Sequence, residues 1–364
     1  MPDPSDAAPL TGPVEVIGAG LLGTSVALAC RRAGLEVLLS DTAPDHVRTA
    51  RALGAGRART AADQPRLVVV AVPPAQLGTV IAEALVATAP YGAVVTDVGS
   101  VKSSPLAEVA ALAPAEIERY VGSHPMAGSE RSGPLAASAA LFDGRPWAVT
   151  AHPSARADAV AAVTALAELC GGVPVELDPA AHDRAVARTS HVPHLMSALV
   201  AARLADAPAA DLALSGQGVR DVTRVAAGDP RLYGQIVAGN ADAVVELLGE
   251  VRAQLEVLIR AIGGGDRTAL QGVLAEAVAG TRAIPGKHGA PDAPSSTVYV
   301  AVPDHPGELA RLFADVGEIG VNIEDVRMDH DPGRQVGLAE LVVTQDAADR
   351  LETSLESRGW VTHR

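Results

Sequence analysis

The sequence predicts three domains of different structural class: an α/β domain, an all-α domain and a small α+β domain. In the first part of the chain, short Val-rich runs alternate with longer stretches of helical spacing, which indicates βαβ units around a parallel sheet buried on both faces. Beyond these runs, long Ala/Leu/Val stretches with helical spacing predict an all-α block. A linker rich in Pro, Gly and Ser then precedes the order strand, helix, strand, strand, helix, which predicts the α+β module. The domains are placed at 13–178, 179–283 and 296–364, with the linker at 284–295.

The individual elements follow from the local patterns. The predicted strands of the α/β domain are short apolar runs at 14–17, 37–39, 67–72, 93–96, 120–121, 147–150 and 173–177. The clearest helical spacing of the all-α domain lies at 192–204 and 241–262. The last module is predicted as a strand at 297–302, a helix at 307–318, strands at 321–328 and 336–344, and a helix at 347–358.

The composition narrows the classes of function. Of the 364 residues, 48% are hydrophobic and 20% are charged, which is typical of globular domains. The net charge of −14 disfavours nucleic acid and anionic membranes as partners, because both are bound by basic surfaces. Cys30 and Cys170 form neither a disulfide framework nor a metal-ligand spacing, and no apolar run reaches the length of a membrane span. We therefore expect a cytoplasmic protein that acts on a small molecule without a metal.

A glycine-rich turn directly follows the first predicted strand and opens a helix. Gly18, Gly20 and Gly23 form the pattern G-x-G-x-x-G, in which the first glycine permits a tight turn, the second lets the backbone approach a pyrophosphate, and the third allows close packing of helix and strand. The amides of Leu21 and Leu22, at the helix start, then face the phosphates. A glycine turn without a cofactor is the alternative, but the strand and helix on either side favour a Rossmann-type nucleotide-binding domain.

The cofactor is predicted to be NAD. Asp41 ends the second predicted strand, where a carboxylate can bind both hydroxyls of the ribose, and the next two residues offer no cation for the 2′-phosphate of NADP. Val72, Pro73 and Asp97 follow later strands, at the ends where a doubly wound sheet binds its ligands. We therefore expect these residues to line the cofactor site.

A histidine is the candidate for proton transfer. His124 follows another predicted strand and lies between Gly122 and Pro125, which suits a fixed side chain facing the nicotinamide. The intrinsic pKa of histidine makes proton exchange with a hydroxyl practical near neutral pH. A structural histidine that bonds a loop carbonyl is the alternative.

The all-α domain carries further polar residues. His191 and His194 are three apart, a spacing that could form a metal pair on a helix, but Pro193 predicts that the helix begins there and no companion carboxylate motif appears. Arg224 could bind a substrate carboxylate through both oxygens of the acid. An ordinary surface pair of Arg224 with Asp221 is the other reading.

Taken together, these segments resemble prephenate dehydrogenase of the bacterial TyrA type. The resemblance rests on GAGLLG, DVGSVK, GSHPMAGSE, TSHVPH and VRDVTR, which span residues 14 to about 240 in the order of that family. It implies that the helical block forms most of a homodimer and that the substrate lies between the two domains. It also implies that His124 accepts the hydrogen bond of the substrate's ring hydroxyl, with Ser100 contacting the same region.

The resemblance assigns roles to further residues of this chain. Arg224, His194 and Ser190 correspond to substrate-binding positions. The polar residues associated with the entrance of the active site are Glu130, His182 and Asp221. Where some members of the family have a tryptophan after the arginine motif, this chain has Tyr233, which leaves recognition of the substrate side chain open.

The C-terminal module resembles a ferredoxin-like ACT domain, a module that binds amino acids. The resemblance implies that tyrosine binds as an effector, with Asp304, Gly307 and Asn322 as contacts. The glycine would open a helix whose free amides can hold a carboxylate. A purely structural dimerisation module is the alternative.

The resemblance implies oxidative decarboxylation of prephenate to 4-hydroxyphenylpyruvate with reduction of NAD, in tyrosine biosynthesis. Arogenate or 4-amino-4-deoxyprephenate is an alternative substrate, because a few residues of the pocket would decide among them. The β-hydroxy acid dehydrogenases share the glycine loop and a helical second domain but use a lysine base, and GSHPMAGSE disfavours them. The non-enzyme alternative is a regulator that binds NAD and an amino acid but has lost catalysis.

Overall fold

A computed structural model describes residues 10–128, 132–284, 295–330 and 336–364 of the chain. The chain divides into two compact units, Met1–Leu255 and Glu256–Arg364. Within the described residues, no helix is both long and apolar enough to cross a lipid bilayer.

The first unit begins with a five-stranded parallel sheet whose strand order is β3-β2-β1-β4-β5. Its strands are β1 (Val14–Ile17), β2 (Val37–Ser40), β3 (Arg57–Ala58), β4 (Leu67–Val70) and β5 (Val94–Asp97), and its helices are α1 (Leu21–Arg32), α2 (Pro44–Ala52), α3 (Leu77–Thr88) and α4 (Ser103–Leu112). Every residue of β4 and β5 is buried, as expected for strands covered by helices on both faces. The predicted Rossmann-type α/β class is confirmed. The two-residue strand β3 was not predicted.

The remaining strands of this unit form a separate three-stranded sheet, β6-β7-β8. They are β6 (Gly122–Pro125), β7 (Pro146–Thr150) and β8 (Val173–Glu176), with helix α5 (Ala157–Leu169) between the last two. The prediction that these runs extend the parallel sheet is wrong, because β6 pairs antiparallel with β7 and Tyr120 makes only an isolated bridge to Val95. An apolar run does not encode the direction of its partner strand, which depends on the path of the connecting chain.

Helices follow from residue 179 onward. They are α6 (Pro179–Val186), α7 (Val192–Ala202), α8 (Ala209–Leu212), α9 (Gln217–Thr223), α10 (Pro230–Gly239), α11 (Ala241–Gly264) and α12 (Arg267–Arg282). The predicted helical class of this block is confirmed, and α7 begins at Val192 with Pro193 in its first turn, within one residue of the predicted start. A π-helical turn, Ala187–His191, joins α6 to α7, and its wider hydrogen bond from Val192 N to Ala187 O accommodates the proline ring.

The C-terminal module of the second unit is a small α+β fold, as predicted. Its elements are β9 (Ser295–Pro303), α13 (Glu308–Ile319), β10 (Asp325–His330), β11 (Val336–Thr344), α14 (Gln345–Ser357) and β12 (Val361–His363). The antiparallel sheet has the order β10-β11-β9-β12, which together with the βαββαβ sequence of elements is the ferredoxin-like arrangement. The terminal strand β12 was not predicted, because three residues carry too little pattern.

Candidate active site

The glycine-rich turn has the close approaches that its sequence predicts. A Cβ atom on Gly18 would lie 2.4 Å from the carbonyl oxygen of Ala71, and one on Gly23 would lie 1.9 Å from the carbonyl oxygen of Gly18. A Cβ atom on Gly20 would meet nothing within 4 Å, so the backbone is open at the position where a pyrophosphate would approach. Gly20 caps α1 without a side-chain hydrogen bond to the helix start. The amides of Leu21 and Leu22 therefore remain suited to phosphate oxygens.

Asp41 lies beside this turn at the end of β2. Its carboxylate accepts hydrogen bonds from Ala19 N and Ala43 N, each at 2.7 Å, and 11% of its side chain is exposed. His46 Nδ1 lies 3.4 Å from the same carboxylate. The two residues after Asp41 offer no cation, but the first turn of α2 brings the imidazole of His46 back toward the strand end, which was not predicted from the sequence.

Two further segments follow strands at the same carboxyl edge. The Cβ position of Gly18 lies 3.2 Å from Val72 N, so Val72 and the exposed Pro73 border the glycine turn. The Asp97 carboxylate, in contrast, is fully buried and bonds to Lys102 Nζ, to Tyr120 Oη at 2.8 Å and to Gly99 N at 2.9 Å. The Asp97 side chain is thus engaged within the protein, because buried carboxylates are stable only when paired, and the contact of Asp97 with the cofactor stays a prediction.

His124 lies within β6 rather than after a strand. The neighbouring Ser123 donates to the carbonyl oxygen of Asp97 at 2.7 Å, and Lys102 Nζ donates to the Ser123 carbonyl oxygen at 2.7 Å. These bonds hold the half-buried His124 ring next to the carboxyl end of β5, where Ser100 also lies half-buried. Burial, together with the nearby His182, Lys102 and His191, holds the pKa of His124 well below its usual value. His124 is therefore neutral at neutral pH and able to accept a proton.

His182 and Asp183 stand behind His124. His124 Nδ1 lies 3.0 Å from His182 Nε2, and His182 Nδ1 lies 2.9 Å from Asp183 Oδ1. His182 is 1% exposed and contacts His124 directly, and its predicted association with the entrance of the active site stays a prediction. Asp183 and Lys102 were not predicted as site residues. The signals in the sequence were the acid directly after His182 and the lysine that ends DVGSVK.

The two histidines of TSHVPH have different surroundings. His191 is buried, and its Nδ1 lies 3.1 Å from Asn240 Nδ2. The His194 ring stacks on Tyr233, with centroids 3.4 Å apart and planes 5° apart. Burial lowers the pKa of His194, and its buried Nδ1 has no hydrogen-bond partner among the described residues. Tyr233, the departure from the family pattern, thus fixes the orientation of a predicted substrate-binding ring.

The predicted carboxylate-binding residue is exposed. Arg224 begins a short 3-10 turn, Arg224–Ala227, that packs against α7. Asp221 accepts a hydrogen bond from Gln217 Nε2 at 2.9 Å, and no ion pair joins Asp221 to Arg224. Ser190 is exposed on the π-helical turn, and Glu130 lies outside the described residues.

The predicted effector contacts lie in the C-terminal module. A cavity of about 380 Å³ opens between the β9–α13 loop and the neighbouring strands, and its lining includes Asp304, His305, Gly307 and Met328. Gly307 has a φ of +95° and begins α13, as predicted. Asn322 is not in the cavity lining, and its Nδ2 donates to Glu324 Oε1 at 2.8 Å.

Comparison with known proteins agrees with this arrangement. Residues 26–176 match the nucleotide-binding domain of prephenate dehydrogenase, and residues 178–276 match its dimerization domain. A probable prephenate dehydrogenase of Streptomyces niveus, NovF, is 37% identical over 95% of this chain and 98% of its own length. A cyclohexadienyl dehydrogenase of Zymomonas mobilis is 32% identical over 70% of this chain and 89% of its own length.

Solved structures give the same result. The prephenate dehydrogenase of A. aeolicus, in complex with hydroxyphenyl propionate and NAD⁺, has a TM-score of 0.67 and 26% identity, covering 74% of this chain and 96% of that one. Arogenate dehydrogenase of Synechocystis has a TM-score of 0.63 and 25% identity, covering 74% and 98%. With its glycine turn, its histidine in β6 and these matches along both domains, the chain belongs to the prephenate dehydrogenase family.

Proposed function

We propose that the protein oxidises and decarboxylates prephenate to 4-hydroxyphenylpyruvate with NAD as the oxidant, in tyrosine biosynthesis. The observation that carries the proposal is the environment of His124: a neutral, half-buried imidazole beside the carboxyl edge of the nucleotide-binding sheet. Its Nδ1 is engaged by His182, and its Nε2 has no hydrogen-bond partner among the described residues. Such a group can accept the hydroxyl proton as the alcohol carbon is oxidised.

The residues of the site divide the chemistry among them. NAD, when bound on the glycine turn, supplies the hydride acceptor. His124 accepts the ring-hydroxyl proton while the C–H electron pair leaves as hydride. The carbon–carbon bond to the ring carboxylate breaks, carbon dioxide departs, and the electron pair of that bond makes the ring aromatic as a phenolate, which takes the proton back from His124. Since aromatisation drives the reaction, the protein chiefly has to orient the ring and support the hydroxyl.

Arg224, His194 and Ser190 are proposed to bind the substrate. The guanidinium of Arg224 is exposed and has no ion-pair partner in the described part of the chain, so it is available to a carboxylate. His194 is held by Tyr233 and keeps an unpartnered nitrogen. Because only 2% of the residues of the chain are aromatic, polar groups of this kind are expected to supply most of the recognition.

The decisive experiment compares substrates in one assay. NADH formation is followed by absorbance with prephenate, arogenate and 4-amino-4-deoxyprephenate at equal concentrations, and we expect the highest kcat/KM for prephenate. A higher value for either amine would reassign the substrate but keep the reaction. NAD binding without turnover of any of the three would support the non-enzyme alternative and overturn the proposal.

We also propose a homodimer built on the helical block. Large apolar side chains are exposed on α7, including Leu199 at 59%, and on α11, including Val245 at 67%. Exposure of this extent is unusual for a monomer and typical of an interface. Light scattering coupled to size exclusion would give the mass of two chains, and the mass of one chain at micromolar concentration would contradict the proposal.

Tyrosine is proposed to bind the cavity of the C-terminal module as in an ACT domain and to lower activity. The cavity has the volume of a small-molecule site and opens at the start of α13, where free amides can hold a carboxylate. Leu309→Trp should fill the cavity and weaken inhibition by tyrosine, whereas Asn322→Ala, outside the lining, is the matched control. Equal inhibition of both variants and the wild type would place the inhibitor at the catalytic site.

A further inference from the structure

A continuous line of three side chains ends at the candidate base. Asp183 Oδ1 lies 2.9 Å from His182 Nδ1, and His182 Nε2 lies 3.0 Å from His124 Nδ1. His182 and Asp183 are 1% and 4% exposed. Both residues come from α6, whereas His124 comes from β6, so the line joins the helical block to the nucleotide-binding part of the same unit.

The carboxylate at the far end is held in its ionised form. Asp183 Oδ1 also accepts a hydrogen bond from Lys102 N at 2.9 Å, and Oδ2 accepts one from Ser103 N at 2.8 Å, both at the start of α4. Burial acts to raise the pKa of Asp183, but the bonds from His182, Ser103 and Lys102 outweigh it and lower that pKa. A helix N-terminus further favours the negative charge. Asp183 therefore acts only as an acceptor.

An acceptor at one end determines the proton positions along the whole line. Because Asp183 accepts, His182 carries its proton on Nδ1, and a neutral His182 then offers the lone pair of Nε2. His124 Nδ1 must in turn be the donor to that lone pair. We propose that Asp183 and His182 are positioning residues that hold His124 as the tautomer with its proton on Nδ1 and an unprotonated Nε2 directed to the substrate.

The same line distributes the charge that arises during the reaction. When Nε2 of His124 takes the substrate proton, the resulting imidazolium donates a hydrogen bond from Nδ1 to His182 Nε2. His182 in turn donates to the carboxylate of Asp183, whose negative charge stabilises the positive charge at the other end. Lys102 and His191 are the other titratable groups that face His124, and both disfavour its charged form. Among the described residues, Asp183 is the one acid that His182 contacts, so it supplies the counter-charge.

This inference rests on the proposed role of His124 as base, and its first test needs no turnover. In protein labelled with ¹⁵N-histidine, the His124 signals are assigned by their absence in His124→Asn. We expect Nδ1 to have the shift of a protonated nitrogen and Nε2 that of an unprotonated one. The opposite pattern overturns the proposed positioning role of Asp183 and His182 (the relay) even if the enzyme is active. The expected pattern in a protein that turns over no substrate would contradict only the proposed function.

Asp183→Asn tests the relay by removing its negative charge. Because Oδ1 of Asp183 accepts from both His182 and Lys102 N, whereas Oδ2 accepts from Ser103 N alone, the amide oxygen keeps the Oδ1 position and the amide nitrogen faces Ser103. The proton positions are then retained, but no carboxylate stabilises the imidazolium of His124, and we expect kcat to fall on the order of 10²-fold with the KM for NAD little changed. Asp178→Asn removes the same charge from the same helix without touching the line, and it should keep wild-type kcat.

A second pair of variants separates positioning from packing and serves if Asp183→Asn fails to fold. In His182→Gln the amide can donate to Asp183 and accept from His124, so the ¹⁵N pattern and most of kcat should be retained. His182→Leu fills similar space but offers neither bond, and its kcat should fall on the order of 10²-fold. Equal activity of the Gln and Leu variants, or retention of wild-type kcat in Asp183→Asn, would overturn the proposal.

Discussion

His191 makes the stability of the protein depend on pH in a way that can be measured. The ring is 2% exposed, and its Nδ1 accepts a hydrogen bond from Asn240 Nδ2 at 3.1 Å. Asn240 also donates to the Asp183 carbonyl oxygen at 2.8 Å, so the amide uses both of its protons. Burial, opposed by Asp183 but aided by His182 and His194, lowers the pKa of His191 from 6.5 to about 4.

The direction of this pH dependence follows from which state, the folded protein or the unfolded chain, binds the proton of His191 at the higher pH. Because the pKa of His191 is lower in the folded protein than in the unfolded chain, the unfolded chain takes up a proton first as the pH falls. The contribution of His191 to the free energy of unfolding is therefore present above about pH 6.5 and is lost as the pH falls toward 4. The separation of the two pKa values corresponds to about 3 kcal/mol at most, of which about 2 kcal/mol is lost between pH 7 and pH 5.

The test compares urea unfolding of the wild type and His191→Asn at pH 7 and pH 5. The Asn side chain keeps an acceptor for Asn240 but does not titrate, so its free energy of unfolding should fall by about 2 kcal/mol less than that of the wild type. His124 and His194 also contribute to the pH dependence of the free energy of unfolding, but they are present in both proteins, so their contributions largely cancel when the two are compared. His46→Asn, which replaces a half-exposed ring, is the control. Parallel losses in the wild type and His191→Asn, or an NMR titration of His191 with a pKa above 6, would refute the reasoning.

The remaining predictions concern catalysis and binding. His124→Asn should bind NAD and prephenate as the wild type does but lose on the order of 10²–10⁴-fold in kcat, since an amide cannot take a proton. If the variant keeps a tenth of the wild-type kcat in a stopped-flow assay, His124 is not the base. Arg224→Ala should raise the KM for prephenate at least tenfold with a smaller effect on kcat, and an unchanged KM would exclude a carboxylate clamp. The wild type should prefer NAD over NADP because of Asp41, and equal kcat/KM values for the two cofactors would contradict this.

The sequence predicts the structure best where the pattern depends on neighbouring residues of the chain. The turn from Gly18 to Gly23 was predicted with its function, because the close contacts at the first and third glycines arise from the strand and helix directly next to it. The start of α13 at Gly307 was predicted for the same reason. Asp97 shows the limit: its place after a strand predicts a residue near the cofactor, but not that its side chain turns inward to Lys102 and Tyr120.

By itself the sequence determined the succession of domain classes, the cofactor turn and the residue types of a proton-transferring site, because hydrophobic periodicity and glycine spacing act over a few residues. Only the tertiary structure decided that β6 leaves the parallel sheet, that α6 runs through a π turn into α7, and that Asp183 and His182 stand behind His124. The line of hydrogen bonds joins residues 58 positions apart in the chain. It depends on the packing of α6 against the start of α4, where Ser103 N donates to Asp183. Contacts of this kind arise from the meeting of whole elements, whose directions no short segment of the sequence contains.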